Sequence, residues 1–163
     1  YQQAIEGLPG LPGIYGDNQT KWTLIEALKL LYNKAPTWYK FVTRWVKFIE
    51  IKPLDGKVGE VTTSIVGRGS ASFNLIYIAP LGSAWTNSGA RDDIKLMFVA
   101  SLLVHEATHV QDWQEGRLPK EINALSNEKA VLKQLGAPPN MIESITEEML
   151  NHPWEKILQD LFS

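Results

Sequence analysis

The sequence predicts a single α+β domain: two N-terminal helices, a small, mostly antiparallel sheet, and a helical second half in which a central helix is followed by an antiparallel partner. Three observations carry this. Apolar residues recur at helical spacing between residues 20 and 48, alternate or cluster as β-branched runs between 48 and 79, and return to helical spacing from 88 onward. Segregated strands and helices, rather than regular alternation, point to α+β. A chain of 163 residues with 44% apolar content builds one core and has no length for a second, so 1–163 reads as one domain.

The chain opens with GLPGLPG at residues 7–13, but the glycine spacing stops after one repeat, and residues 1–16 read as an extended N-terminal arm. Asp17 is a natural N-cap for TKWTLIEALKLLYNK, where Trp22, Ile25, Leu28 and Leu31 share a face, and Ala35-Pro36 ends that helix. TWYKFVTRWVKF repeats the pattern with Trp38, Phe41, Val42 and Trp45. Next, FIEIKPL alternates, Asp55-Gly56 signals a turn and VGEVTTSIV is β-branched, which predicts a hairpin, with FNLIYIA (73–79) as a third strand. From Ser88 a long helix runs through the acidic pair Asp92-Asp93 to Gly116. A second helix runs from Pro119 to Gly136, and two further helical patterns, NMIESITEEML and WEKILQDLF, follow.

Composition narrows the function classes. A net charge of −2 with interspersed signs offers no basic patch for nucleic acid, and the apolar run at 94–104 is too short and too closely flanked by charge to span a membrane. Without cysteine there is neither a disulfide framework nor a thiolate zinc site, which leaves imidazole and carboxylate as strong metal ligands. A chain that begins at Tyr1 reads as a processed or trimmed form, and with no cysteine it leans toward a secreted or cell-envelope setting.

The stretch LLVHEATHVQDWQEG carries the chemistry. Residues four apart on a helix stack on one face, so His105 and His109 point together and can occupy two corners of a zinc tetrahedron. Glu106 lies one step around the helix, beside the open position, where a carboxylate can act as general base toward metal-activated water. The preceding IKLMFVASLLV is apolar almost all round, so this is a buried central helix, in which uncompensated His and Glu side chains are costly.

LLVHEATH resembles the active-site helix of zincin metallopeptidases, whose signature is His-Glu-x-x-His. Asp112 and Glu115 stand where the metzincin branch has Gly and His, which excludes that branch. The gluzincin branch takes its third ligand from a Glu on the following helix, and PKEINALSNEKAVLKQLG supplies an acidic helix. The chain is thus similar to small bacterial gluzincin-like domains of poorly defined function, over residues 73–137. The resemblance implies a zincin-like fold, one Zn2+ per chain and hydrolysis of a peptide or protein substrate.

Glu121 and Glu128 both qualify as third ligand, since their separation of seven puts them on one helix face. A hairpin folding about residue 117 sets the midpoint of the histidines level with residue 127 and favours Glu128. On the other side, Glu121-Ile122-Asn123-Ala124 resembles the Glu-x-x-Ala element that carries the ligand in related families. Asp112 is a candidate to orient a ligand imidazole, Tyr77 to line the cleft beside FNLIYIA, and His152 to stabilise an oxyanion. The expected function is a zinc metallopeptidase with Glu106 as base. The alternative is a zinc-stabilised binding or regulatory module that hydrolyses nothing.

Overall fold

The computed structural model describes residues 7–54, 59–61 (backbone only), 74–82, 92–118 and 120–146. Among these it forms a mixed α/β structure of five helices and a four-stranded sheet. The elements are β1 (Gly13–Tyr15), α1 (Asn18–Lys34), α2 (Pro36–Trp45), β2 (Phe48–Ile51), β3 (Gly59–Val61), β4 (Leu75–Ile78), α3 (Asp92–Gln114), α4 (Glu121–Leu135) and α5 (Pro139–Ser144).

Local chemistry accounts for the helix ends. The Asp17 side chain accepts from the Thr20 N–H at 2.9 Å, capping α1, and the Thr20 hydroxyl in turn accepts from the Leu81 N–H at 3.1 Å. Pro36 opens α2 at a position where a missing N–H costs nothing. α3 closes through Gly116 at φ +74°, with Gly116 N–H donating to Trp113 O and Arg117 N–H to Asp112 O. This is the paired-bond arrangement that a left-handed residue after a helix permits. Gly136 ends α4 in the same way.

α3 is the spine. From Ile94 to Val110 every residue but the half-buried Leu96 is buried, because α1 and α2, α4, and strands β3 and β4 all pack against it. Leu24, Ile25, Leu28 and Leu31 of α1 and Val42 of α2 face this core, while Trp22, Trp38, Phe41 and Trp45 are only partly covered. Among the described residues no helix is long and apolar enough to cross a membrane.

The sheet corrects the expectation of mostly antiparallel pairing. Its order is β1-β2-β4-β3, with β1–β2 and β2–β4 parallel and only β3–β4 antiparallel. β2 and β3 are not neighbours, because β4 lies between them, so they form no hairpin with each other; the expected turn at Asp55-Gly56 falls outside the described residues. The physical reason lies in β4, where Ile76, Tyr77 and Ile78 are all buried, the continuous apolar pattern of an interior strand covered on both faces. β2 keeps its alternation, with Ile49 and Ile51 inward and Phe48 and Glu50 outward.

Three sequence boundaries shift. The extended N-terminal stretch is docked, with β1 pairing to β2 and the Tyr39 hydroxyl donating to Pro9 O at 2.9 Å. α4 begins at Glu121 rather than at Pro119, which is itself not described. The helix expected over NMIESITEEML ends at Ser144, while the start expected at Ser88 and the last pattern, WEKILQDLF, lie outside the described residues.

Gly16 joins β1 to α1 at φ +140°, and a Cβ there would stand 2.4 Å from Ile51 Cβ. Gly16→Ala is therefore expected to lower unfolding free energy by ~2 kcal/mol or more in urea titration. Burial of Tyr39 pushes its hydroxyl up to about 12, with Tyr32 nearby adding to the shift. A raised folded value gives a contribution present below the ordinary Tyr value of 10 and lost as pH rises from there toward about 12. Stability measured between pH 9 and 12 should fall less steeply in Tyr39→Phe than in wild type.

Candidate metal centre

His105 and His109, one turn apart on α3, set their rings edge to face with centroids 4.9 Å apart. Both rings turn Nε2 toward one carboxylate on the first turn of α4: Glu121 Oε2 is 3.0 Å from His105 Nε2, and Glu121 Oε1 is 2.8 Å from His109 Nε2. The ligand atoms of these three residues all lie within 4.8 Å of one another, an arrangement that could hold a metal ion. Ligand atoms bound to one tetrahedral ion at ~2.0 Å sit about 3.3 Å apart, so the residues fit such an ion with small adjustments. Two imidazoles and a carboxylate are also the donor chemistry of borderline divalent transition metals.

The geometry places Glu121, not Glu128, with the two Nε2 atoms. Glu128, fully buried, meets the other side of His105, its Oε1 lying 2.9 Å from Nδ1, while its Oε2 accepts from the Ser101 hydroxyl at 3.0 Å. Glu128 would be level with the histidines only in a tight hairpin whose second helix starts at Pro119. In the structure residues 115–120 connect the helices, and Arg117 N–H folds back onto Asp112 O, which returns Glu121 to the level of the histidine pair. Glu128 then stands beside the preceding turn of α3. Asn127, which donates to Thr108 Oγ1 at 3.0 Å, holds the two helices in this alignment.

The electrostatics follow from burial and pairing. Burial works against a charged His105, but its hydrogen bonds to Glu121 and Glu128 outweigh it and hold the imidazole up at about 10. The same hydrogen bonds from His105 and then His109 keep the Glu121 carboxyl well below the usual carboxylate range. Pairing thus favours positive charge between the histidines and Glu121. Glu106 is 4% exposed and its carboxyl is pushed up by burial, against the pull of His105 and His109. Its Oε2 has no hydrogen-bond partner among the described residues.

Asp112 is buried, but its Oδ1 accepts from Arg117 Nη2 at 3.1 Å, so it braces the turn instead of an imidazole. Arg117 also pairs with Glu115. Tyr77 lies in the interior strand β4 under the Lys52 ammonium, 3.7 Å over its ring, and does not join the His–Glu group. The strand expected at a cleft edge is thus central, and among the described residues β3 ends the sheet on that side. His152 falls outside the described residues. Sequence reasoning missed Ser101. Its signal was a lone polar residue in an apolar run, one turn before His105 and so on the same face.

Comparison of the chain with known protein families, with curated proteins and with solved structures finds no match.

An ion that binds the folded chain and not the unfolded one stabilises it by about 2.7 kcal/mol at a hundredfold excess over Kd. Adding a divalent transition-metal ion should raise Tm on the order of 5–10 °C in differential scanning calorimetry. The rise should disappear in His109→Ala.

Proposed function

We propose that this chain is a zinc-dependent metallopeptidase of zincin type, with His105, His109 and Glu121 holding the ion and Glu106 serving as general acid and base. The observation that carries this reading is Glu106, a buried carboxyl next in sequence to His105 with one oxygen left without a partner among the described residues. Leaving such an atom unpaired costs ~1–3 kcal/mol or more, a cost a purely structural site has no reason to keep.

Bound zinc would supply Lewis acidity, making a water more acidic and a peptide carbonyl more electrophilic. The chain's own residues do the rest. Glu106 accepts a proton from the attacking water and delivers it to the departing amine as the C–N bond breaks, so proton and bond count balance. Its carboxyl, raised by burial, is suited to both transfers. Three protein ligands leave a fourth position for water or substrate. The parallel sheet is no obstacle, because β3, which packs against α3, ends the sheet among the described residues and offers an edge for an extended peptide.

A second reading, a zinc-stabilised binding or regulatory module, draws on one feature: α4 begins without a side-chain cap at Lys120, and an ion on Glu121 would tie that end to α3. Glu106 separates the two.

Elemental analysis of purified protein should find about one zinc per chain, lost in His105→Ala and kept in Glu106→Gln. Hydrolysis of an unfolded protein substrate should fall by roughly 10²-fold or more in Glu106→Gln. A protein that remains metal-free after zinc addition would falsify the proposal, while zinc uptake with no hydrolysis by wild type favours the module.

A further inference from the structure

Glu128 is a carboxylate with no solvent exposure, and its two oxygens are committed to different partners on α3. Oε1 lies 2.9 Å from His105 Nδ1, and Oε2 accepts from Ser101 Oγ at 3.0 Å. Ser101 and His105 are one turn apart, so both occupy the face that α4 covers. We infer that Ser101 and Glu128 form a buried brace that fixes which nitrogen of His105 faces the metal. This rests on the reading of His105 as a ligand, and it makes Glu128 a positioning residue that acts through His105.

Carboxylate oxygens only accept, and Glu121 faces Nε2 as Glu128 faces Nδ1, so once an ion takes the lone pair of Nε2 the ring's hydrogen must sit on Nδ1, where Glu128 accepts it. Without the carboxylate the neutral ring divides between two tautomers, one of which turns a hydrogen toward the ion. Ser101 keeps the carboxylate in place. Its hydroxyl lies within hydrogen-bond reach of Phe98 O at 2.7 Å as well as Glu128 Oε2 at 3.0 Å, so the brace is anchored to the α3 backbone.

The two histidines are unequal in this respect. His109 Nδ1 is buried and has no partner among the described residues, whereas His105 Nδ1 is held. His105 is therefore oriented before an ion arrives, and the order around the site is set from the α3 side by a serine and from the α4 side by a carboxylate. Such outer partners typically govern metal affinity by about 10–100-fold.

The test measures zinc affinity by competition with a chromophoric chelator for wild type, Glu128→Ala, Glu128→Gln and Ser101→Ala. Long-range 15N–1H NMR of the zinc-loaded proteins reports which His105 nitrogen carries hydrogen. Glu128→Ala should bind zinc about 10–100-fold more weakly, and the protected Nδ1–H signal of wild type should exchange away. Ser101→Ala should weaken binding by roughly threefold or more, as one step further from the ion.

Glu128→Gln should recover most of the affinity and keep the Nδ1–H signal. Its carbonyl can accept from His105 while its NH2 donates to Ser101, which then donates to Phe98 O. If Glu128→Ala fails to fold, Ser101→Ala and Glu128→Gln, which remove or exchange few atoms, still decide the matter. Unchanged affinities in Glu128→Ala and Ser101→Ala, or a Gln variant as weak as Ala, overturn the brace alone. A wild-type protein that takes up no zinc overturns the metallopeptidase reading and the brace with it.

Discussion

The hairpin of α3 and α4 is arranged around one imidazole, His105, which is engaged at both ring nitrogens by carboxylates from the neighbouring helix. A helix buried almost all round cannot carry a histidine pair on apolar contacts alone, since each unpaired polar atom in such a place costs on the order of 1–3 kcal/mol. α4 answers this with Glu121 and Glu128 at a spacing of seven, while Ala124, Val131, Leu132 and Leu135 continue its covered face. The polar group and the apolar contact are thus one interface. Removing α4 would leave Ser101, His105 and Thr108 without the side-chain partners they now have.

What could be read from the sequence was what depends on a single helix or a single turn. The relation of His105, Glu106 and His109 follows from helical period, and the α1 cap at Asp17 and the helix ends at Gly116 and Gly136 from side-chain and backbone preferences. What could not be read depends on how two elements meet. Glu121 and Glu128 share a face, so the choice between them rested on the path of residues 115–120, which no periodicity describes. Strand pairing failed for the same reason: the alternation in FIEI identifies a strand but not its neighbour, and the neighbour proved to be β4 instead of the strand next in sequence. Ser101 was overlooked because its meaning depends entirely on Glu128, which approaches from another helix.

The same interface concentrates ionisable groups where stability would prefer none. Glu106, Asp112 and Glu128 are each at most 4% exposed, in or beside an otherwise apolar spine. Replacing buried ionic groups with well-packed apolar ones is often neutral or stabilising, so their presence is not explained by stability. Local departures from the apolar pattern of α3 and the strongest perturbations of its carboxyl and imidazole groups coincide within two turns of helix. That coincidence marks these two turns as a candidate site.

The parallel sheet also orders assembly in time. β1 and β2 are separated by residues 16–47, and β2 and β4 by residues 52–74, so each pairing closes a long loop whose entropy must be spent before the strands reward it. Every side chain of the histidine cluster and its supports lies between residues 101 and 128, on two helices joined by a short turn. The histidine cluster therefore lies in the region of low contact order, and the slow part of folding falls to the sheet around it. A kinetic fault in strand pairing would leave a chain whose histidine hairpin can form ahead of the rest, a partly folded species with His105, His109 and Glu121 already brought together.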